Sequence, residues 1–215
     1  MIEATAAATS RARFWIPWLL PLVLALSGCA HHQAPPQDWR AIILNKDIDR
    51  MREWRKAWVD SLAKARDEGN GAAIAAEGAL LDPDAGLDKP MPPIGDYHCR
   101  VIAFGSGSGE RGGFAAGPAG QCRLNSIGDG ILGFARLEGP QRPIGRIYPG
   151  PGAQLTFLGS LAVGDESRPF DYGIDQQRSL VGLVERVGPQ RWRLVLPHPP
   201  FGGAFQVIEL VPGSG

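Results

Sequence analysis

The chain has 215 residues, with 22 basic and 22 acidic side chains and three cysteines. That length holds one hydrophobic core plus a small accessory element, and 29 glycines with 19 prolines suit a turn-rich β protein better than a helical one. Balanced charge excludes a long-range field drawing the chain to nucleic acid or anionic lipid. Lys46, Lys56, Lys64 and Lys89 all precede Met91, which leaves no Schiff-base or phosphate-binding lysine beyond it.

In chain order, Arg11 and Arg13 come before an apolar run over 14–26 that Pro17 and Pro21 interrupt. The run is short for a bilayer-spanning helix and reads as an export signal over 1–28. Leu26-Ser27-Gly28-Cys29 resembles the bacterial lipobox. The resemblance implies that Cys29 is diacylated on sulfur and becomes the new N-terminus, anchoring the protein in a membrane. Ala30 after the cysteine favours the outer membrane, facing the periplasm. Ordinary secretion, or an uncleaved anchor, is the competing reading. Residues 29–37 form a lipidated tether, and His31 and His32 within it lack the further ligands a metal site needs.

With Cys29 set aside, Cys99 and Cys122 are an even pair in an oxidising compartment and predict a disulfide worth roughly 3 kcal/mol in the chain-entropy model. Two reduced core thiols are the alternative.

Residues 38–81 read as a helical hairpin. Ile48, Met51, Trp54, Trp58, Leu62 and Ala65 recur at spacings of three and four, with Asn45 as the cap and Gly69 as the stop. Asn70 caps a second helix through Ala79. The two tryptophans form a seam against the main domain rather than a ligand box. Pro83, Gly86, Pro90, Pro92 and Pro93 make 82–95 a linker that sustains no helix.

From 96 to 213 the pattern is short apolar runs between glycines and prolines. Strands are expected over 97–102, 131–137, 144–148, 155–163, 180–187, 191–196 and 205–210, with a hairpin at Gly188-Pro189-Gln190. Trp192 and Leu194 share one face and Arg191 and Arg193 the other, which reads as a sheet with one wet surface. Gly133, Gly145, Gly159 and Gly182 lie inside strands and favour sharp coiling. The fold class is mainly β, a small antiparallel β-barrel or sandwich behind the helical hairpin.

Few residues suggest chemistry. Gly107 to Gly112 spell G-x-G-x-x-G, but Gly113 to Pro118 follow and exclude the helix a dinucleotide site requires. There is no nucleophile-elbow, zinc-helix or paired-cysteine motif, and no cofactor or metal is expected. His98 and His198 lack a specified partner and read as ordinary surface or strand-end histidines. The candidate binding loop is Asp165, Glu166, Arg168, Asp171, Tyr172 and Asp175, with Arg178 close behind. Its carboxylates suit calcium or glycoside hydrolysis only if they face each other across a groove; arginine–carboxylate pairs bracing the loop are favoured. Tyr148, Phe114, Phe170, Tyr172 and Phe201 are candidate surface aromatics, with core burial equally open for each.

Asp38-Trp39-Arg40, Gly95-Asp96-Tyr97-His98-Cys99-Arg100, Gln141-Arg142-Pro143-Ile144-Gly145, Tyr172-Gly173-Ile174-Asp175 and Arg191-Trp192-Arg193-Leu194-Val195 resemble recurring blocks of the bacterial DUF4893 family of unknown function. The similarity spans 38–212. It implies an envelope location and one folded unit, and brings no catalytic or binding residue. The expectation is a non-enzymatic, lipid-anchored module binding a periplasmic protein or small ligand through rim loops, with no nucleic-acid partner. A narrower version is a periplasmic protease inhibitor, on fold analogy alone. The alternatives from other classes are a carboxylate-dependent envelope hydrolase and a structural link between envelope components.

Overall fold

Helix α1 (Asn45–Ala65) follows the spacing of its apolar residues, which bury Ala57, Trp58, Leu62 and Ala65 along one face. The computed structural model describes residues 38–105, 113–201 and 203–213; the expected leader, the Cys29 tether and the glycine motif at 107–112 lie outside them. A 3-10 turn over Trp39–Ala41 leads into α1. Leu44, not Asn45, occupies the cap position, and no side chain caps this end. After Ala65 the chain widens through Arg66–Asn70 into α2 (Gly71–Ala76).

In place of a hairpin with two arms, the accessory element is therefore one helical run broken at Gly69. That residue has φ +89°, the left-handed conformation glycine adopts without a Cβ penalty. Asn70 takes the N-cap position of α2 as expected, without a side-chain cap bond to it; its amide donates 3.2 Å to the Ala65 carbonyl and satisfies the end of α1.

Among the described residues nine strands follow: β1 (Gly95–Phe104), β2 (Phe114–Ala116), β3 (Gly120–Gly128), β4 (Ile131–Arg136), β5 (Gln141–Tyr148), β6 (Gln154–Val163), β7 (Ser179–Gly188), β8 (Arg191–Pro197) and β9 (Phe205–Pro212). Eight close an antiparallel barrel in the order β1-β3-β4-β5-β6-β7-β8-β9, with β9 pairing back onto β1. The ninth, β2, pairs with the end of β1 over Ile102 to Phe104, beyond the stretch that β3 occupies. Both β2 and β3 fall in a polar, glycine-rich region where no strand was expected.

Period-2 alternation and the pairing register place Tyr97, Cys99, Cys122, Leu124, Phe134, Phe157, Val184, Trp192, Leu194 and Ile208 inside the barrel. The Cys99–Cys122 disulfide forms as expected, with Cα atoms 5.9 Å apart on adjacent strands. Gly145 and Gly159 face each other across β5 and β6. A Cβ on Gly159 would stand 2.5 Å from Cζ of Phe157, so the glycine pair makes room for that ring, which meets Phe134 edge-on at 5.8 Å. A space of about 30 Å³ remains at the mouth by Arg136, Gln141 and Gln206, room for one water. The interior is packed with side chains.

The outer wall is not uniformly wet, contrary to the two-faced reading of the β7–β8 hairpin. Helix α1 lies across β7, β8, β9 and β1, burying Leu183, Val195, Phe205, Val207, Ile102 and Phe104. Trp58 packs on Phe205 at 4.9 Å. Arg193 points outward but is 0 % exposed. Its guanidinium lies 4.4 Å over the Trp58 ring and 2.7 Å from Glu185. It also donates to the carbonyls of Ala79 (2.9 Å), Leu80 (3.0 Å) and Asp82 (2.7 Å). A second clasp joins Arg100 to Glu77 beyond α2 and to Glu209 on β9. Residues 36–215 consequently make one compact unit.

Candidate functional site

The loop over 164–178 joins β6 to β7 and is fastened at both ends. At its base, the Arg178 guanidinium donates to both Glu166 oxygens (2.8 and 2.7 Å) and to Asp175 (2.7 Å). Glu166 also accepts from the Val163 amide at 3.1 Å. These bonds, the one from Arg178 foremost, hold the Glu166 carboxyl below its usual range; Arg178 does the same for Asp175. Arg142 adds donations to the carbonyls of Gly139 (2.8 Å) and Gly164 (2.6 Å).

The second fastening reaches the start of α1. Tyr172 donates 2.6 Å to Asp47 and accepts 3.0 Å from the Leu44 amide. Asp47 is fully buried and takes a further 3.0 Å bond from Arg50. Burial pushes the Tyr172 hydroxyl pKa well up, and the neighbouring Asp47 adds to the shift. A carboxylate in the first turn of α1 also lies where the helix dipole favours negative charge.

Between the two fastenings, residues 168–171 overhang the outer face of β5 and β6. The overhang creates a groove of about 400 Å³, floored by Ile144, Arg146, Tyr148 and Leu158 and edged by Ile42, Arg168, Phe170 and Asp171. Phe170 is 62 % exposed and Ile42 40 %, so the rim is apolar and open to water. Arg168 and Asp171 pair across its surface at 3.1 Å.

Of the six predicted loop residues, the fold brings Arg168, Asp171 and Tyr172 to the groove. Glu166 and Asp175 belong to the brace behind it, and Asp165 is exposed at the start of the loop. Only Asp171 among the four loop carboxylates lines the groove, so no pair faces across it. Tyr148 is buried in the floor and Phe114 packs on Phe104 at 5.4 Å, while Phe201 is exposed as a surface aromatic. His98 and His198 are both exposed. Among the described residues, no three His, Cys, Asp or Glu side chains cluster as metal ligands. Sequence reasoning missed Ile42, Ile144, Arg146 and Leu158. The signal for the β5 members was the outward position of Ile144, Arg146 and Tyr148 in an alternating strand.

Residues 39–210 match the family model described as a domain of unknown function, DUF4893. The chain belongs to that family. No curated protein and no protein of solved structure matches it. The DUF4893 region starts at Trp39 and ends in β9, so it takes in the barrel except the last two residues of β9, the helix laid on it and every residue of the groove.

Proposed function

We propose that this chain is a lipid-anchored interaction module of the cell envelope that binds through the outer wall of its barrel, without catalysis. One observation carries the reading. The barrel interior is packed with buried side chains, whereas the groove under Phe170 offers about 400 Å³ with an apolar rim. Recognition loops on a rigid scaffold have this form. The Cys99–Cys122 bridge supports an oxidising compartment, in keeping with Cys29 as the exported anchor. Carboxylate-dependent hydrolysis is less well supported. A general acid needs a raised pKa, and Glu166 and Asp175 are shifted the other way by Arg178.

Two measurements test the proposal. Mass spectrometry of the membrane-bound protein is expected to find an N-terminal diacylated Cys29; an intact leader with a free thiol in the soluble fraction would refute the anchor. A photo-crosslinking residue in place of Phe170 is expected to capture a discrete adduct in intact cells, and one in place of exposed Asn125 on β3 is not. Equal capture at both positions, or none, would refute the groove.

A further inference from the structure

Period-2 alternation sends an arginine into one end of the barrel. β4 turns Leu132 and Phe134 into the core, so Arg136, next in the alternation, faces in as well, paired with Cys122 across β3. The same rule turns Gln206 inward on β9, ahead of Ile208 and Leu210, and Gln141 inward on β5, opposite Val163. Leu161, Leu180, Leu196 and Ile208 stand around these three, and Pro199 and Pro200 lie against them from the loop between β8 and β9. That loop is closed by the His198 amide, which donates 3.0 Å to the Ala204 carbonyl. The water-sized space of about 30 Å³ at the barrel mouth is thus walled by a cation, two carboxamide residues and apolar groups.

The Arg136 guanidinium is only partly matched. Nη1 donates to the Gln141 carbonyl at 3.0 Å, while Nε is buried with no hydrogen-bond partner among the described residues. Glu138, exposed just past the end of β4, acts on it by charge, with no hydrogen bond between them. Arg142 acts in the opposite sense, its own donors going to the carbonyls of Gly139, Gly164 and Glu166. Farther along the rim, Glu166 and Asp175 are both taken up by Arg178. Burial pushes the Arg136 pKa down, Glu138 opposes the shift and Arg142 adds to it. A guanidinium keeps its proton nevertheless. Such a charge, once buried, calls for a counter-charge as well as an acceptor, and a neutral water supplies only the acceptor.

We propose that the barrel mouth binds one halide ion, chloride in a cell, beside Nε of Arg136. The space suits an ion of that size. The site lies within the end of the barrel, apart from the groove on the outer face of β5 and β6, so it stands whether or not that groove binds a partner. An ion that binds the folded barrel and not the unfolded chain adds stability as it saturates its site.

Bromide takes the place of chloride and marks its own position by anomalous scattering. Crystals of the full chain grown in sodium bromide are expected to show an anomalous peak in contact with Arg136 Nε. In solution, urea unfolding of the full chain is expected to show a chloride-specific gain over gluconate at equal ionic strength. The folding constant rises about elevenfold when chloride stands about tenfold above half-saturation. Arg136→Gln removes the charge and is expected to abolish both the peak and the chloride-specific gain. An unchanged near-ultraviolet circular dichroism spectrum identifies that variant as folded; if it does not fold, the two measurements on the parent decide alone. Ordered water without an anomalous signal at Nε, a stability no greater in chloride than in gluconate, or a peak that survives in folded Arg136→Gln overturns the inference.

Discussion

Arg193 and Arg178 each hold a glutamate at 2.7 Å, one beneath the helix and the other at the base of a loop. Their surroundings differ completely. Arg193 and Glu185 are shut away from water, and Nη1 of the guanidinium donates to three carbonyls of the segment after α2. Burial pushes the Arg193 pKa down, and Glu185 opposes the shift. The Arg178 brace is partly open to solvent, and its partners are one loop's own carboxylates. Removing one member of a buried pair strands a charge in low dielectric, whereas water replaces a lost partner at the surface. The first cluster helps to fasten the helical element to the barrel. The second only shapes a loop.

The largest effect expected from that contrast is at Arg193. Arg193→Ala leaves Glu185 charged and buried, frees the carbonyls of Ala79, Leu80 and Asp82, and uncovers one face of Trp58. Denaturant unfolding is expected to show a loss of about 3–5 kcal/mol. Replacing both partners, as Arg193→Met with Glu185→Leu, is expected to cost less than the single change, because no charge is left unpaired. A single variant as stable as the parent would mean that the buried pair does not fasten the helix.

Next in size is the disulfide. Cys99→Ser with Cys122→Ser opens a crosslink of sequence separation 23 inside the barrel. The expected loss is about 3 kcal/mol in the chain-entropy model, measured as a lower denaturation midpoint. This bridge was legible because two cysteines remain once Cys29 is set aside. Most strands were legible too, since their apolar alternation is clean. β3 was not: among Gln121, Arg123 and Asn125 only Cys122 and Leu124 point inward, too few to register as a run. Arg193 misled for a physical reason. Alternation tells which residues point out of a sheet, but not whether a helix later covers them. The loop was legible as a cluster of charges, yet its fastening to Asp47 depends on a contact 125 residues away, and the groove floor on a strand from another part of the chain.

The smallest expected effect is also the most direct test of the loop brace. The ordinary values are 4.5 for Glu166 and 3.8 for Asp175, and both carboxyls lie below them in the folded protein. A carboxylate with a depressed folded pKa adds stability above its unfolded value and loses it as pH falls through the folded one. The brace is therefore complete above about pH 5 and fails only in stronger acid. Carboxyl-carbon NMR titration is expected to give midpoints below the ordinary values at both positions. Arg178→Gln is expected to return both upward with little loss of stability, since solvent takes over the partners. Midpoints at or above the ordinary values in the parent would mean that Arg178 does not hold these groups, and Glu166 and Asp175 would again be candidates for proton transfer. A return of the midpoints with the groove still able to capture its ligand would show that the Asp47–Tyr172 fastening alone suspends the overhang.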